Sequence, residues 1–215
     1  MRGGELRAVA LAALAVRCGA AAVAATVALS GCTVTSTADD QPTPSVAART
    51  SVDGTETWDL RTPPAAREVG IPAGGDTAVY ETDQPRPVLV RLPEGGTVTA
   101  QSVLVTFDNF AGVRSGSDAP TTMDLSTSPL PLDQAYETFV AGLRELGLPE
   151  RTAQEWRDRV HARPTSGADE GLAVNASASI VQDYLKVTIA VRYSPVGDSA
   201  VVAWNLYWGP RATRG

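Results

Sequence analysis

A chain of 215 residues with a net charge of −6 and an isoelectric point near 4.8 is repelled by nucleic-acid phosphates and by anionic lipid headgroups, so neither is expected as a partner. One histidine and two cysteines are too few for a zinc site built from those residues. The length allows a leader, a linker and one domain of the common size, about 100–150 residues.

The N-terminus reads as an export signal: a cationic start, an apolar stretch and small residues at a cut. Arg2 and Arg7 supply the charge, and Arg17 interrupts the apolar run Ala8–Leu29. An arginine at the centre of a spanning helix costs ~2.5–3.5 kcal/mol, which argues against a stable membrane span. The remaining apolar core, Cys18–Leu29, has the twelve residues that suit a leader. It ends in Leu29-Ser30-Gly31-Cys32: a branched apolar residue, two small residues and a cysteine. This tetrapeptide resembles the lipobox of bacterial lipoproteins. The resemblance implies a signal peptide over residues 1–31, cleavage after Gly31 and acylation of Cys32. It places the chain on the extracytoplasmic face of the cell membrane, held through acyl chains, of which two or more anchor stably. The single lysine, Lys186, among eighteen basic residues and the abundant alanine point to a high-G+C genome such as an actinobacterial one.

Removal of residues 1–31 takes away Arg2, Arg7 and Arg17 against Glu5, a net of +2, and leaves the remainder at −8. Cys18 goes with the leader and Cys32 is consumed by acylation, so the mature domain is expected to hold neither a cysteine nucleophile nor a disulfide framework.

Residues 32–57 are dominated by threonine, serine, proline and acidic residues without apolar periodicity. Such a segment buries too little surface to offset its ordering entropy and is expected to be a disordered tether. Trp58 opens the expected single domain, 58–210. Proline and glycine punctuate the stretch to Pro87, which predicts loops with one or two short edge strands near Trp58–Leu60 and Thr77–Tyr80. Val88–Leu92 and Val98–Phe107 read as a hairpin around Pro93-Glu94-Gly95-Gly96, and Thr122–Leu125 as a short strand.

The period then changes. Leu132, Tyr136, Phe139, Leu143 and Leu146 recur at spacings of four and three, predicting an amphipathic helix that Gly147 stops. A second helix is expected from near Pro149 to about His161, with Ala153, Trp156 and Val160 inward and Thr152–Glu155 as a capping box. After residue 171 the period becomes two. Leu172–Ile180, Leu185–Tyr193 and Val202–Trp208 alternate apolar and polar residues, predicting a three-strand antiparallel meander with one packed face. The expected fold class is α+β: an antiparallel sheet of about five to six strands packed against a pair of amphipathic helices.

His161 falls at a helix end among arginines, a setting for a surface residue. A serine triad would need a G-x-S-x-G elbow, which the sequence lacks. The Gly74-Gly75 and Gly95-Gly96 pairs have no following lysine and helix to cradle a phosphate. Alternation places Trp204 and Trp208 on the core side and Tyr207 on the other face, which makes Tyr207 the candidate surface contact. The expectation is therefore a non-enzymatic, cofactor-free envelope lipoprotein that binds an envelope protein or small ligand. Two alternatives stand beside it: a cell-envelope hydrolase working through carboxylates that the sequence does not single out, or an interaction subunit of a membrane complex.

Overall fold

The computed structural model describes residues 47–109, 119–163 and 172–208. The leader, Gly31, Cys32 and the tether as far as residue 46 lie outside them. In chain order the elements are β1 (Arg49–Val52), β2 (Thr55–Asp59), a 3₁₀ turn (Ala66–Val69), β3 (Thr77–Arg91), β4 (Thr97–Asp108), β5 (Thr122–Ser126), α1 (Leu132–Glu145), α2 (Arg151–His161), β6 (Val174–Gln182), β7 (Leu185–Ser194) and β8 (Ser199–Trp208). The class is α+β. The sheet has eight strands in the order β1-β2-β3-β4-β5-β8-β7-β6, more than the expected five or six. It is also mixed, because β2 runs parallel to β3.

Two of the additional strands come from the segment expected to be tether. Residues 49–57 are not tether: Arg49–Val52 pairs antiparallel with Thr55–Trp58. The cause is a two-residue turn, Asp53-Gly54, with φ of 49° and 76°, the left-handed geometry that Asp-Gly supplies for a tight hairpin. The loop and edge-strand expectation for 77–87 changes as well. Thr77–Tyr80 and Val88–Arg91 are halves of one strand, β3, whose register against β4 shifts between Glu81 and Arg86. Arg86 stitches that bulge: its guanidinium donates to the Thr82 hydroxyl (2.7 Å) and the Tyr80 carbonyl (3.1 Å).

The same arginine donates to Glu56 (2.7 Å), a carboxylate only 2% exposed that also accepts from Arg49 (2.9 Å) and the Trp58 indole (2.6 Å). Burial alone would raise the Glu56 pKa. The hydrogen bonds and charges of Arg86 and Arg49 outweigh it and hold the carboxyl below the ordinary glutamate range. The cluster ties β1, β2 and β3 together.

The C-terminal meander forms as its alternation predicts. Leu185, Val187, Ile189, Val191 and Tyr193 of β7, with Val202, Trp204, Leu206 and Trp208 of β8, are buried on one face. Helix α1 lies on that face. Its close approach depends on Gly142, where a Cβ would stand 2.3 Å from Ile189 Cδ1 and 3.2 Å from the Trp204 ring. Gly147, at φ 65°, ends the helix, and the Leu148 amide returns to the Leu143 carbonyl (2.8 Å). In α2 the expected capping box does not form; Glu155 instead accepts from Arg151 one turn earlier (2.5 Å).

The sheet coils strongly. Counting strand directions from β4 through β5 and β8 to β7 puts the β3–β4 and β6–β7 turns at opposite ends of a flat sheet. Yet the Asp183 amide donates to the Glu94 carboxylate (3.1 Å), and the Tyr184 hydroxyl donates to the Leu60 carbonyl (2.7 Å). Irregularities in β3 and β4 supply the bend, so the β3–β4 hairpin folds over the core. Trp58, Tyr80 and Phe107 fill the space, with centroids of Trp58 5.2 Å from Tyr80 and 4.6 Å from Phe107.

Candidate functional site

Strand β4 changes phase at its middle. Val98, Ala100 and Ser102 are buried in the first half, Val105 and Phe107 in the second. The buried Ser102 hydroxyl takes up this irregularity, lying 2.7 Å from the Leu104 carbonyl and 2.9 Å from that of Ser126. Pairing with β5 covers only Leu104–Asp108. Beyond Ser126 the chain turns away from β4 towards β8: Thr127 exchanges hydrogen bonds with Val202, and Leu130 with Ala200. Among the described residues no strand pairs with the second edge of the first half of β4.

A groove of about 360 Å³ opens along this edge. One wall is β4 at Thr99, Ala100 and Gln101, with Pro85 of the β3 bulge beyond it. The floor is the Thr127–Leu130 segment. The other wall is the side of α1 that carries Gln134, Glu137, Thr138 and Ala141. Apolar surface makes up most of the lining, with the hydroxyls and amides of Thr99, Gln101, Thr127, Ser128, Gln134 and Thr138 set into it, and among the described residues Glu137 is its one ionisable group. At one margin the Glu145 carboxylate accepts the Thr99 amide hydrogen (3.0 Å).

The sequence expectations lie elsewhere. Tyr207 stands on the outer face of the sheet, 41% exposed, whereas Trp204 and Trp208 are buried in the core. Next to the Tyr207 row, Asn205 donates to Asp124, and Asp108 accepts from the hydroxyls of Thr121 (2.7 Å) and Thr122. Burial raises the Asp124 pKa, with the Asp108 charge adding to it against the Asn205 and Thr122 hydrogen bonds. These two half-buried carboxylates face away from the helices and take no part in the groove. His161 is exposed at the end of α2. Among the described residues no group of three His, Cys, Asp or Glu side chains is placed to hold a metal ion, and no helix is long and apolar enough to cross a membrane.

The groove residues were not singled out in the sequence. Thr97, Thr99 and Gln101 are visible there as the polar positions of an alternating strand, and Gln134, Thr138 and Ala141 as a short-chained helix face. Their meeting depends on where β5 leaves β4, which no local pattern encodes. No known protein family, characterised protein or solved structure matches the chain.

Proposed function

We propose that this chain is a non-catalytic binding lipoprotein of the cell envelope. It is held by acyl chains on Cys32 and presents the groove between β4 and α1 to an envelope protein or small ligand. The groove carries the binding part of this reading. It is concave, of ligand-binding size and mainly apolar, with a few neutral hydrogen-bonding groups placed along it. Among the described residues the groove has one carboxylate in its lining, Glu137, and a second at its margin, Glu145, already engaged by the Thr99 amide. Glycoside hydrolysis generally takes two carboxyl groups flanking the scissile bond, both free to act on it; this favours binding over the hydrolase alternative. Anchoring rests on the Leu29–Cys32 sequence.

One in-cell experiment tests both parts. With a photo-crosslinking residue at Thr138, the anchored protein is expected to capture a specific neighbour. The same residue at Val196, 89% exposed in the β7–β8 turn, is expected to give a different pattern or none. Cys32→Ala is expected to abolish palmitate labelling and leave an uncut precursor. Unchanged labelling would overturn the anchor, and identical adducts from Thr138 and Val196 would overturn the groove as the binding site.

A further inference from the structure

The backbone along the groove is more specific than its side chains. In an antiparallel pair the amide and carbonyl of each residue point together, alternately towards the partner strand and away from it. The Thr99 amide reaches the Glu145 carboxylate on the α1 side, so Thr99 points away from β3. By alternation Thr97 and Gln101 do too, while Val98 and Ala100 bond to Val90 and Val88. The register agrees, because Gln101 stands opposite Pro87, which has no amide hydrogen to exchange. The Gln101 amide and the carbonyls of Thr99 and Gln101 therefore face the groove. The Glu145 oxygen on Thr99 occupies the place that a strand carbonyl would take.

The start of the β6 edge is covered by α2. At β6 the Trp156 indole donates to the Val174 carbonyl (3.0 Å) and Arg159 to that of Asn175 (2.9 Å). On β4 the edge positions Thr97, Thr99 and Gln101 carry none of the lysines or prolines that natural proteins use to blunt an open edge. The charges beside it are Glu137 in the lining and Glu145 at Thr99.

We infer that the groove takes an extended, lysine- or arginine-bearing segment of a partner protein, added as a strand along the Thr97–Gln101 edge of β4 opposite α1. This rests on the groove being the binding site. Main-chain hydrogen bonds to Gln101 and Thr99 supply affinity in this mode of recognition, and side-chain contacts supply selectivity. Here Glu137 and Glu145 select cationic residues.

Random twelve-residue peptides displayed on phage and selected on the immobilised full chain provide the probe. Recovered sequences are expected to be rich in Lys and Arg, and a bound peptide to slow hydrogen exchange at the Gln101 amide by about tenfold or more. Gln101→Pro removes that donor on the side facing away from β3. It is expected to weaken binding about tenfold or more, while Gln101→Ala stays within about twofold. Circular dichroism reports whether the proline variant folds; if it does not, exchange at Gln101 in the unaltered chain decides. Failure to recover peptides, recovery of acidic sequences, or binding that leaves Gln101 exchange unchanged would overturn strand addition. Specific crosslinks from Thr138 with an unprotected Gln101 would leave the binding groove standing and remove only the added strand. Loss of the specific Thr138 crosslinks would remove the groove itself.

Discussion

Glu56 is the residue whose role departs furthest from its surroundings in the chain. Inside Thr-Glu-Thr-Trp it reads as a solvated acid, yet it is buried and receives three donors, Arg49, Arg86 and the Trp58 indole. Removing one partner of a buried ionic cluster leaves the others desolvated and uncompensated, at a cost of about 3–5 kcal/mol. Glu56→Gln keeps the shape and part of the hydrogen bonding. It is expected to lose about 3 kcal/mol at pH 7, or ~6–12 °C in Tm for a chain of this size. The pH dependence has a definite sign. The Glu56 pKa is lowered in the fold from the ordinary 4.5, so its stabilisation is complete above that value and is lost as pH falls through the lower folded value. Thermal melts of wild type and Glu56→Gln should therefore differ most near neutrality and draw together as pH falls from 4.5 through the lowered folded value. A constant difference down to pH 3 would show that packing, not charge, is what Glu56 contributes.

At the scale of the element, the β1–β2 hairpin moves the start of the folded domain from Trp58 back to Arg49. Four residues on each side of the Asp53-Gly54 turn are paired, and the hairpin delivers both Arg49 and Glu56 to the cluster on β3. A chain beginning at Ala47 is expected to melt within a few degrees of the full chain. One beginning at Trp58 loses Arg49 and Glu56 together and leaves Arg86 and the Trp58 indole without their buried acceptor, a loss of ~3 kcal/mol or more. Denaturation of the two truncations measures this, and equal stability would make the hairpin an ornament on a domain that begins at Trp58. The same element shows why the tether expectation overran. Threonine, serine, proline and acidic residues dominate residues 32–57, and that average conceals the Asp-Gly turn, a two-residue signal whose flanking strands carry only one apolar residue, Val52, before Trp58.

At the scale of the whole molecule, the coil of the sheet brings the two hairpin turns together. The Tyr184 hydroxyl on the Leu60 carbonyl spans 124 residues of chain. Burial, with the charges of Asp183 and Asp59, raises the Tyr184 pKa to about 12, so it remains a donor across the physiological range. Tyr184→Phe leaves the ring and removes this bond, at an expected cost of about 1 kcal/mol or ~2–4 °C in Tm. Hydrogen exchange at Asp183, whose amide meets Glu94 beside it, should quicken in the same variant. Unchanged stability and exchange would show that core packing alone closes the coil.

The sequence by itself determined the α+β class, the three alternating C-terminal strands, both helices and the glycine that ends the first. Each is a local pattern: a period of two, a period of 3.6, or a residue free to adopt positive φ. Only the tertiary structure decided the joining of Thr77–Tyr80 and Val88–Arg91 into one strand, the parallel pairing of β2 with β3, the burial of Glu56 and the open edge at Gln101. These depend on groups far apart in the chain: Arg86 lies 30 residues from Glu56, and Glu145 lies 46 from Thr99. A polar residue reads the same in sequence whether water or another chain segment satisfies it, and that choice is made when the segments pack.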